Sequence, residues 1–262
     1  MHTNLSCEET LLQLRNKMNR GRLLVSQLVG GDYAHAGEKE STEMVMQKVL
    51  QLSPKARKGN CLDIGCGAGG TANAVREFGF PNVYGIDIDQ AAIAYAKARY
   101  PQVQFTCGDA SALHRYFDME FFSLTYFFNV FYAIEDKLSV LKQIAAISKP
   151  RAILAIFDIH LVEDTARPIN DLDNLPIYLI RMELLKRDLQ LAGWEISEIV
   201  DVSDHCVRWY GDVLNKLSER YTELSIEFSQ DEIEIIHKTL DRLFQGLKSG
   251  SFGAAAIYAH RL

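Results

Sequence analysis

From about residue 60 onward, short apolar runs alternate with stretches of helical periodicity. The apolar runs are 61–64, 83–88, 103–107, 121–127 and 153–159. Between them, 70–78, 90–99 and 137–147 read as amphipathic helices. Strand and helix in this alternation predict a parallel sheet covered on both faces. Pro81-Asn82, Pro101 and Lys149-Pro150 punctuate the pattern just before the second, third and fifth runs. Residues 180–191 read as a helix that closes at Ala192-Gly193, and 194–202 as a strand.

Two regions fall outside this alternation. Residues 6–52 read as two helices joined around the loop 30–37, which carries Gly30, Gly31 and Gly37. Residues 203–250 read as two further helices, 207–221 and 231–247. Ser229 ahead of Gln230, Asp231 and Glu232 is a start signal for the second. An alternating strand, 254–260, follows. A helical insert just before the last strand places a cap over the sheet edge where ligands of α/β proteins bind.

Composition narrows the class. The 262 residues are 48% hydrophobic and 24% charged, which fits a globular chain and not a disordered one. A formal net charge of -6 repels phosphate backbones and argues against nucleic acid as partner. The densest basic group, Arg15, Lys17, Arg20 and Arg22, falls on several helix faces and reads as solvated surface. The five cysteines contain no CxxC pair, so neither a disulfide framework nor a metal site is expected. Cys61 and Cys107 lie in apolar runs and are expected to be buried thiols. No run approaches the roughly 20 apolar residues of a membrane span. Residues 1–16 lack an apolar signal core. A reduced, cytoplasmic protein without a membrane partner is the expectation.

The strongest chemical signal is Leu62-Asp63-Ile64-Gly65-Cys66-Gly67-Ala68-Gly69-Gly70-Thr71, between an apolar run and a helix. Glycines let the backbone turn sharply and let a ligand approach the main chain. Gly65, Gly67 and Gly70 satisfy a dinucleotide fingerprint, but Gly65, Gly67 and Gly69 equally satisfy the G-x-G-x-G of methyltransferases. Three acids at strand ends separate the two. Asp63, two residues before the first glycine, would repel a pyrophosphate but hold the ammonium of S-adenosylmethionine. Asp87 can accept from both ribose hydroxyls, and Asp109 from the adenine amino group. Ile88 and Ala110, beside those two acids, join the candidate cofactor contacts. Asp89 and Asp109 also fit plain helix caps. A nicotinamide oxidoreductase, or a fold that holds the cofactor without turnover, are the alternatives.

On these motifs, residues 60–160 resemble the core of class I S-adenosylmethionine-dependent methyltransferases. The chain resembles more narrowly the small-molecule branch that includes phosphoethanolamine and sarcosine/dimethylglycine methyltransferases. The loop Asp32-Tyr33-Ala34-His35-Ala36-Gly37 and the step Asp201-Val202-Ser203-Asp204 belong to the likeness. The resemblance implies an α/β, Rossmann-like sheet of seven strands, mostly parallel. Its antiparallel final pair is formed by 194–202 and 254–260. N-terminal helices and a helical cap complete a single domain over 1–262: helices 1–52, cofactor-binding core 60–160 and cap 203–250. It also implies that Tyr33, Ala34 and His35 approach the methionine end of the cofactor, and that Asn129 faces cofactor and substrate.

Methyl transfer to nitrogen, oxygen or carbon of a small molecule is the expected activity. The chain departs from the phosphoethanolamine pattern at Ala133, where that family has a catalytic His. It departs again at Ile159, where a Tyr would follow Asp158. Candidate replacement groups are His35, His160 and Tyr33, with His205 a further histidine near the insert. Tyr126, Phe127, Phe128, Phe131, Tyr132, Trp209 and Tyr210 give a dense aromatic supply near the expected mouth, serving either as core or as walls for an apolar or cationic substrate.

Overall fold

The structure is a computed structural model that describes residues 7–162 and 178–262. Its eight-stranded sheet is built on the run β1 (Asn60–Ile64), β2 (Asn82–Asp87), β3 (Gln104–Cys107), β4 (Phe122–Phe128) and β5 (Ser148–Leu161). A two-residue strand β6 (Ile180–Arg181), then β7 (Trp194–Asp201) and β8 (Phe252–Arg261), complete it. The order is β3-β2-β1-β4-β5-β8-β7, with β6 paired only to β5. β1 to β5 run parallel, and β8 lies antiparallel between β5 and β7. The seven long strands are those expected. β6 is the addition, formed where the helix of 180–191 was expected to begin.

Position in the sheet explains the two kinds of strand pattern. β1 and β4 are interior and covered on both faces, so nearly every residue is buried. β7 is an edge strand and alternates strictly along Glu195–Asp201. One face packs against α3 (Glu38–Leu52), α4 (Gly70–Glu77), α5 (Gln90–Arg99), α8 (Ser203–Glu219) and α10 (Gln230–Lys248), through residues such as Met46, Val75, Ile93, Val213 and Leu240. The other face packs against α6 (Lys137–Ile147) and α7 (Met182–Leu191), through Leu141, Ile144 and Leu189.

The helical regions hold more elements than expected. The N-terminal region has three helices, α1 (Cys7–Arg15), α2 (Arg20–Val29) and α3. The break falls at Asn19, whose side chain caps α2 by accepting from the Arg22 N–H at 3.1 Å. The insert also has three: α8, the one-turn α9 (Tyr221–Leu224) and α10. The expected start signal of α10 is a full capping box between Ser229 and Glu232.

α2 is tied to the insert by several polar contacts. Arg20 donates to Glu232 at 2.9 Å and lies 4.3 Å above the Phe228 ring, and Arg220 donates to the Gln27 carbonyl at 2.7 Å. Gly21 permits this approach, because a Cβ there would sit 2.8 Å from Ile236 Cδ1. Three of the four basic residues of 15–22 are therefore engaged and not solvated surface, while Lys17 is exposed as expected. Arg15 donates to Ser26 at 2.8 Å, Arg20 joins the insert, and Arg22 turns inward. Cys107 is a second correction: it is exposed at the end of the edge strand β3, whereas Cys61 is buried. Among the described residues no helix is long and apolar enough to cross a membrane, and no cluster of three or more metal-ligating side chains forms.

Candidate active site

β1 ends in the glycine turn, and each glycine there has a local cause. Gly65, Gly67 and Gly69 have φ of 74°, 51° and 88°, a region that side chains disfavour. A Cβ on Gly65 would lie 2.4 Å from Val130, and one on Gly70 would lie 2.6 Å from the Asp32 carbonyl oxygen. The turn folds back onto the end of β2. Gly65 and Cys66 N–H both donate to the Ile86 carbonyl, and Gly67 N–H donates to Asp87 Oδ2 at 2.8 Å.

The three acids have different surroundings. Asp63 is 2% exposed, and its Oδ2 has no hydrogen-bond partner. Burial, and then the nearby Asp87 charge, push its carboxyl well above the usual carboxylate range. An unpaired buried carboxyl oxygen is a group that a bound cation would satisfy. Asp87 is 6% exposed and also accepts from Asp89 N–H at 2.9 Å. Asp109 is exposed; one oxygen caps the following turn by accepting from Ser111 N–H at 2.8 Å. Asp89 caps α5 in the same way. Ile88 is exposed and Ala110 half-buried between them. The turn and the acids thus form one continuous ledge along the carboxyl ends of β1, β2 and β3.

Arg22 reaches this ledge from α2. Its Nη2 lies 3.5 Å from Asp87 Oδ2, and its Nη1 lies 3.8 Å from Asp89 Oδ2. The guanidinium lies over Gly67, where a Cβ would be 3.1 Å from Nη1. Sequence reasoning missed it, because nothing in the periodicity of 20–29 shows which acid a single arginine meets across the fold.

The loop before α3 closes the near end. His35 is buried, with Nδ1 donating to the Ala36 carbonyl at 3.2 Å and Nε2 accepting from the Thr71 hydroxyl at 2.9 Å. Burial lowers its pKa to about 4, so the ring is neutral at pH 7. The ring lies against Phe128, centroids 4.7 Å apart, with Tyr33 edge-on at 5.7 Å. Burial, and then Glu77, raise the Tyr33 hydroxyl to about 12.

Asn129 joins this loop to the sheet. It has φ 48°, accepts from Ala36 N–H at 2.9 Å and donates to Asp158 at 3.4 Å. Asp158 also accepts from the Tyr132 and Ile159 N–H groups. Burial outweighs those bonds and raises its carboxyl to about 6.

Beyond Asn129 lies a cavity between sheet and cap. Asn129, Tyr132 and Ile159 form its floor, and Trp209 and Tyr210 of α8 one wall. Thr239, Leu240 and Leu243 of α10 line it as well, as do Val25 of α2, Ala34 and Leu179. Neither His35 nor His160 lines it. Ile159 faces the cavity, so strand alternation turns His160 to the other face. There its ring covers Gly253 and its Nδ1 donates to the Leu161 carbonyl at 3.1 Å. His205 is also diverted, pairing with Ser41 of α3 at 2.8 Å. Ala133 sits in the short 3₁₀ turn Phe131–Ala133 that carries Tyr132.

The geometry can be set beside known proteins. A profile of the methyltransferase-domain family matches residues 33–221. An O-methyltransferase, cnsE of Penicillium expansum, is 28% identical over 205 residues, covering 67% of this chain and 70% of its own. Phosphoethanolamine N-methyltransferase 2 of Haemonchus contortus, solved with phosphomonomethylethanolamine and S-adenosylhomocysteine, superposes with a TM-score of 0.79 at 17% identity. That match covers 99% of this chain and 61% of the other. Geranyl diphosphate C-methyltransferase of Streptomyces coelicolor A3(2), solved with S-adenosylhomocysteine, gives 0.72 at 14% identity, covering 99% of each chain. The structural matches show a shared fold, and the profile spans well over half of the sequence: the chain belongs to the methyltransferase-domain family.

Proposed function

We propose that this chain transfers a methyl group from S-adenosylmethionine to a small molecule held in the cavity beneath α8 and α10. One observation carries the reading. A buried carboxyl with an unpaired oxygen, Asp63, stands beside the glycine turn and Asp87, on a ledge next to a mostly apolar cavity. An ammonium fits the first acid and a ribose diol the second. Gly65 and Gly67 leave the main chain open to close approach. Asp109 and its neighbours Ile88 and Ala110 are assigned to the adenine end. Tyr33, His35 and Asn129 are assigned to the methionine end.

When bound, the cofactor supplies a methyl on a sulfonium, ready for in-line displacement. The protein's own part is placement. Asn129 is held from both sides, by Ala36 and by Asp158, and fixes the boundary between ledge and cavity. His35 is a neutral support whose two nitrogens are already engaged. Arg22 neutralises Asp87 from above, and a ribose hydroxyl pairing with Asp87 competes with it. The cap excludes water from the acceptor. We read residues 1–262 as one domain serving this single site.

Formation of S-adenosylhomocysteine, on incubation with S-adenosylmethionine and a panel of small acceptors, tests the activity. Turnover with at least one acceptor, abolished by Asp87→Ala, is the expected result. Silence across the panel from a protein that binds the cofactor would contradict it.

A further inference from the structure

The cavity that accepts the substrate on this reading has a lining of one kind. Its eleven residues include no Asp, Glu, Lys, Arg or His among the described residues. Four charged groups near it among the described residues are engaged elsewhere. Glu38 accepts from Trp209 Nε1 at 2.9 Å. Asp158 is held by Asn129 and by two backbone N–H groups. Arg22 is paired with Asp87 and Asp89. Lys137 donates to the Ile134 and Tyr178 carbonyls, and burial lowers its pKa to about 8.

We propose that the acceptor is an uncharged, ring-bearing, mostly apolar molecule, held between Trp209–Tyr210 and Leu240–Leu243. This deepens the methyltransferase reading and rests on it. Among the described residues, this lining offers a phosphate or carboxylate no counter-ion, and an unpaired buried charge is strongly disfavoured. Among the described lining residues a cation would find aromatic faces and no carboxylate, and it would sit near the positive sulfonium of the cofactor, which repels it. An uncharged ring meets neither obstacle. Trp209 is well placed to receive one: its N–H is anchored on Glu38, and its ring meets Tyr210 edge-to-face at 5.0 Å and 82°. Asn129, Tyr132 and Thr239 supply a few polar atoms, enough to orient one or two hydroxyl, carbonyl or amine groups on an apolar skeleton.

The two tryptophans of the chain make the test optical. Trp194 is 1% exposed on the opposite sheet face, with its N–H bonded to the Leu141 carbonyl, so Trp194→Phe leaves Trp209 as the reporter. That variant of the full chain is titrated with p-cresol, choline and phosphoethanolamine, each with and without S-adenosylhomocysteine. S-adenosylhomocysteine binding is measured separately by calorimetry. Saturable change of Trp209 emission by p-cresol, at least about tenfold tighter than by either charged probe, is the expected result.

A second variant, Leu243→Glu, puts a carboxylate at a half-buried position of the lining. It is expected to weaken p-cresol about tenfold or more and to reverse the preference towards choline. If Leu243→Glu does not fold, Thr239→Val, which removes only a hydroxyl, is expected to keep p-cresol binding within about threefold. Equal or tighter binding of choline or phosphoethanolamine by the parent overturns the proposal. So does absence of any p-cresol response. If S-adenosylhomocysteine binds while p-cresol does not, the acceptor class is wrong and the methyltransferase reading stands. If S-adenosylhomocysteine itself does not bind, the underlying reading fails as well.

Discussion

The carboxyl ends of β1 and β2 and those of β4 and β5 belong to one sheet edge but carry opposite chemistry. Along β1 and β2, Asp63 and Asp87 are buried beside a glycine turn, and Arg22 of α2 is drawn onto Asp87. Along β4 and β5, the floor of the cavity is Asn129, Tyr132 and Ile159, and the cap above it is aromatic and aliphatic. The first region tolerates buried charge because backbone N–H groups and a guanidinium reach Asp87. The second turns the buried Asp158 of β5 into backbone donors and away from the lining. On the proposed function, polar recognition is therefore concentrated on the cofactor side, and selection by shape and apolarity on the acceptor side.

The contrast is most sharply broken at Asp63. Asp63→Asn is expected to weaken S-adenosylmethionine by about tenfold to a hundredfold, the scale of one charge-assisted hydrogen bond in a buried site. The pH dependence adds a second readout. Because the Asp63 carboxyl is raised, it must lose a proton to pair with an ammonium. Affinity in the parent protein should therefore climb with pH up to the raised value, and Asp63→Asn should flatten the climb. Calorimetric titration across pH checks both. An unchanged slope in the variant would remove Asp63 from the cofactor.

On the other side, Leu240→Ala truncates a cap residue that is 6% exposed. A loss of about 2–5 kcal/mol in denaturant unfolding is expected, as for other buried leucines. Cofactor affinity should stay within a few-fold, since Leu240 belongs to the cavity and not to the ledge. Equal damage to both would show that the two regions are not separable.

His35 gives a smaller, pH-dependent effect. Its pKa is about 4 folded and 6.5 unfolded, so the unfolded chain binds the extra proton between these values. His35 therefore costs stability as pH falls from 6.5 to about 4, by up to about 3 kcal/mol. Asp158, raised to about 6, works in the opposite sense: it favours the native state as pH falls through 6. His35→Phe should remove the first contribution, leaving a protein that gains relative stability on mild acidification. Unfolding curves at pH 7 and 5 measure this, and an unaltered difference between them would contradict it.

The smallest effect is expected from Arg22→Ala. Its side chain is 26% exposed and pairs with Asp87 at 3.5 Å. Removing a competitor for Asp87 should tighten S-adenosylmethionine by a few-fold, about the measure of a partly exposed ion pair. Weaker binding would instead make Arg22 a cofactor contact.

Much of the ledge was legible in the sequence, because it is local. The glycine turn, Asp63 and the start of α4 lie within ten residues, and strand–helix alternation places the acids at strand ends. The two last long strands were legible as runs flanking an insert, and their antiparallel pairing followed from the resemblance to class I methyltransferases. What stayed hidden depends on distant contacts. Arg22 meets Asp87 across 65 residues of chain. The burial of His35 depends on Thr71 and Phe128. Whether aromatic residues line a cavity or fill a core depends on both faces they touch: Tyr126 and Phe127 are fully buried core, while Tyr132, Trp209 and Tyr210 line the cavity. Cys107 reads like a core thiol from its neighbours but ends an edge strand in solvent.

The most direct measurement is calorimetric titration of the full chain with S-adenosylmethionine and, separately, with NADH. Saturable binding of S-adenosylmethionine and none of NADH is expected, because Asp63 suits an ammonium and opposes a pyrophosphate. Binding of NADH, or no binding of S-adenosylmethionine by the folded protein, would contradict the assignment of the ledge.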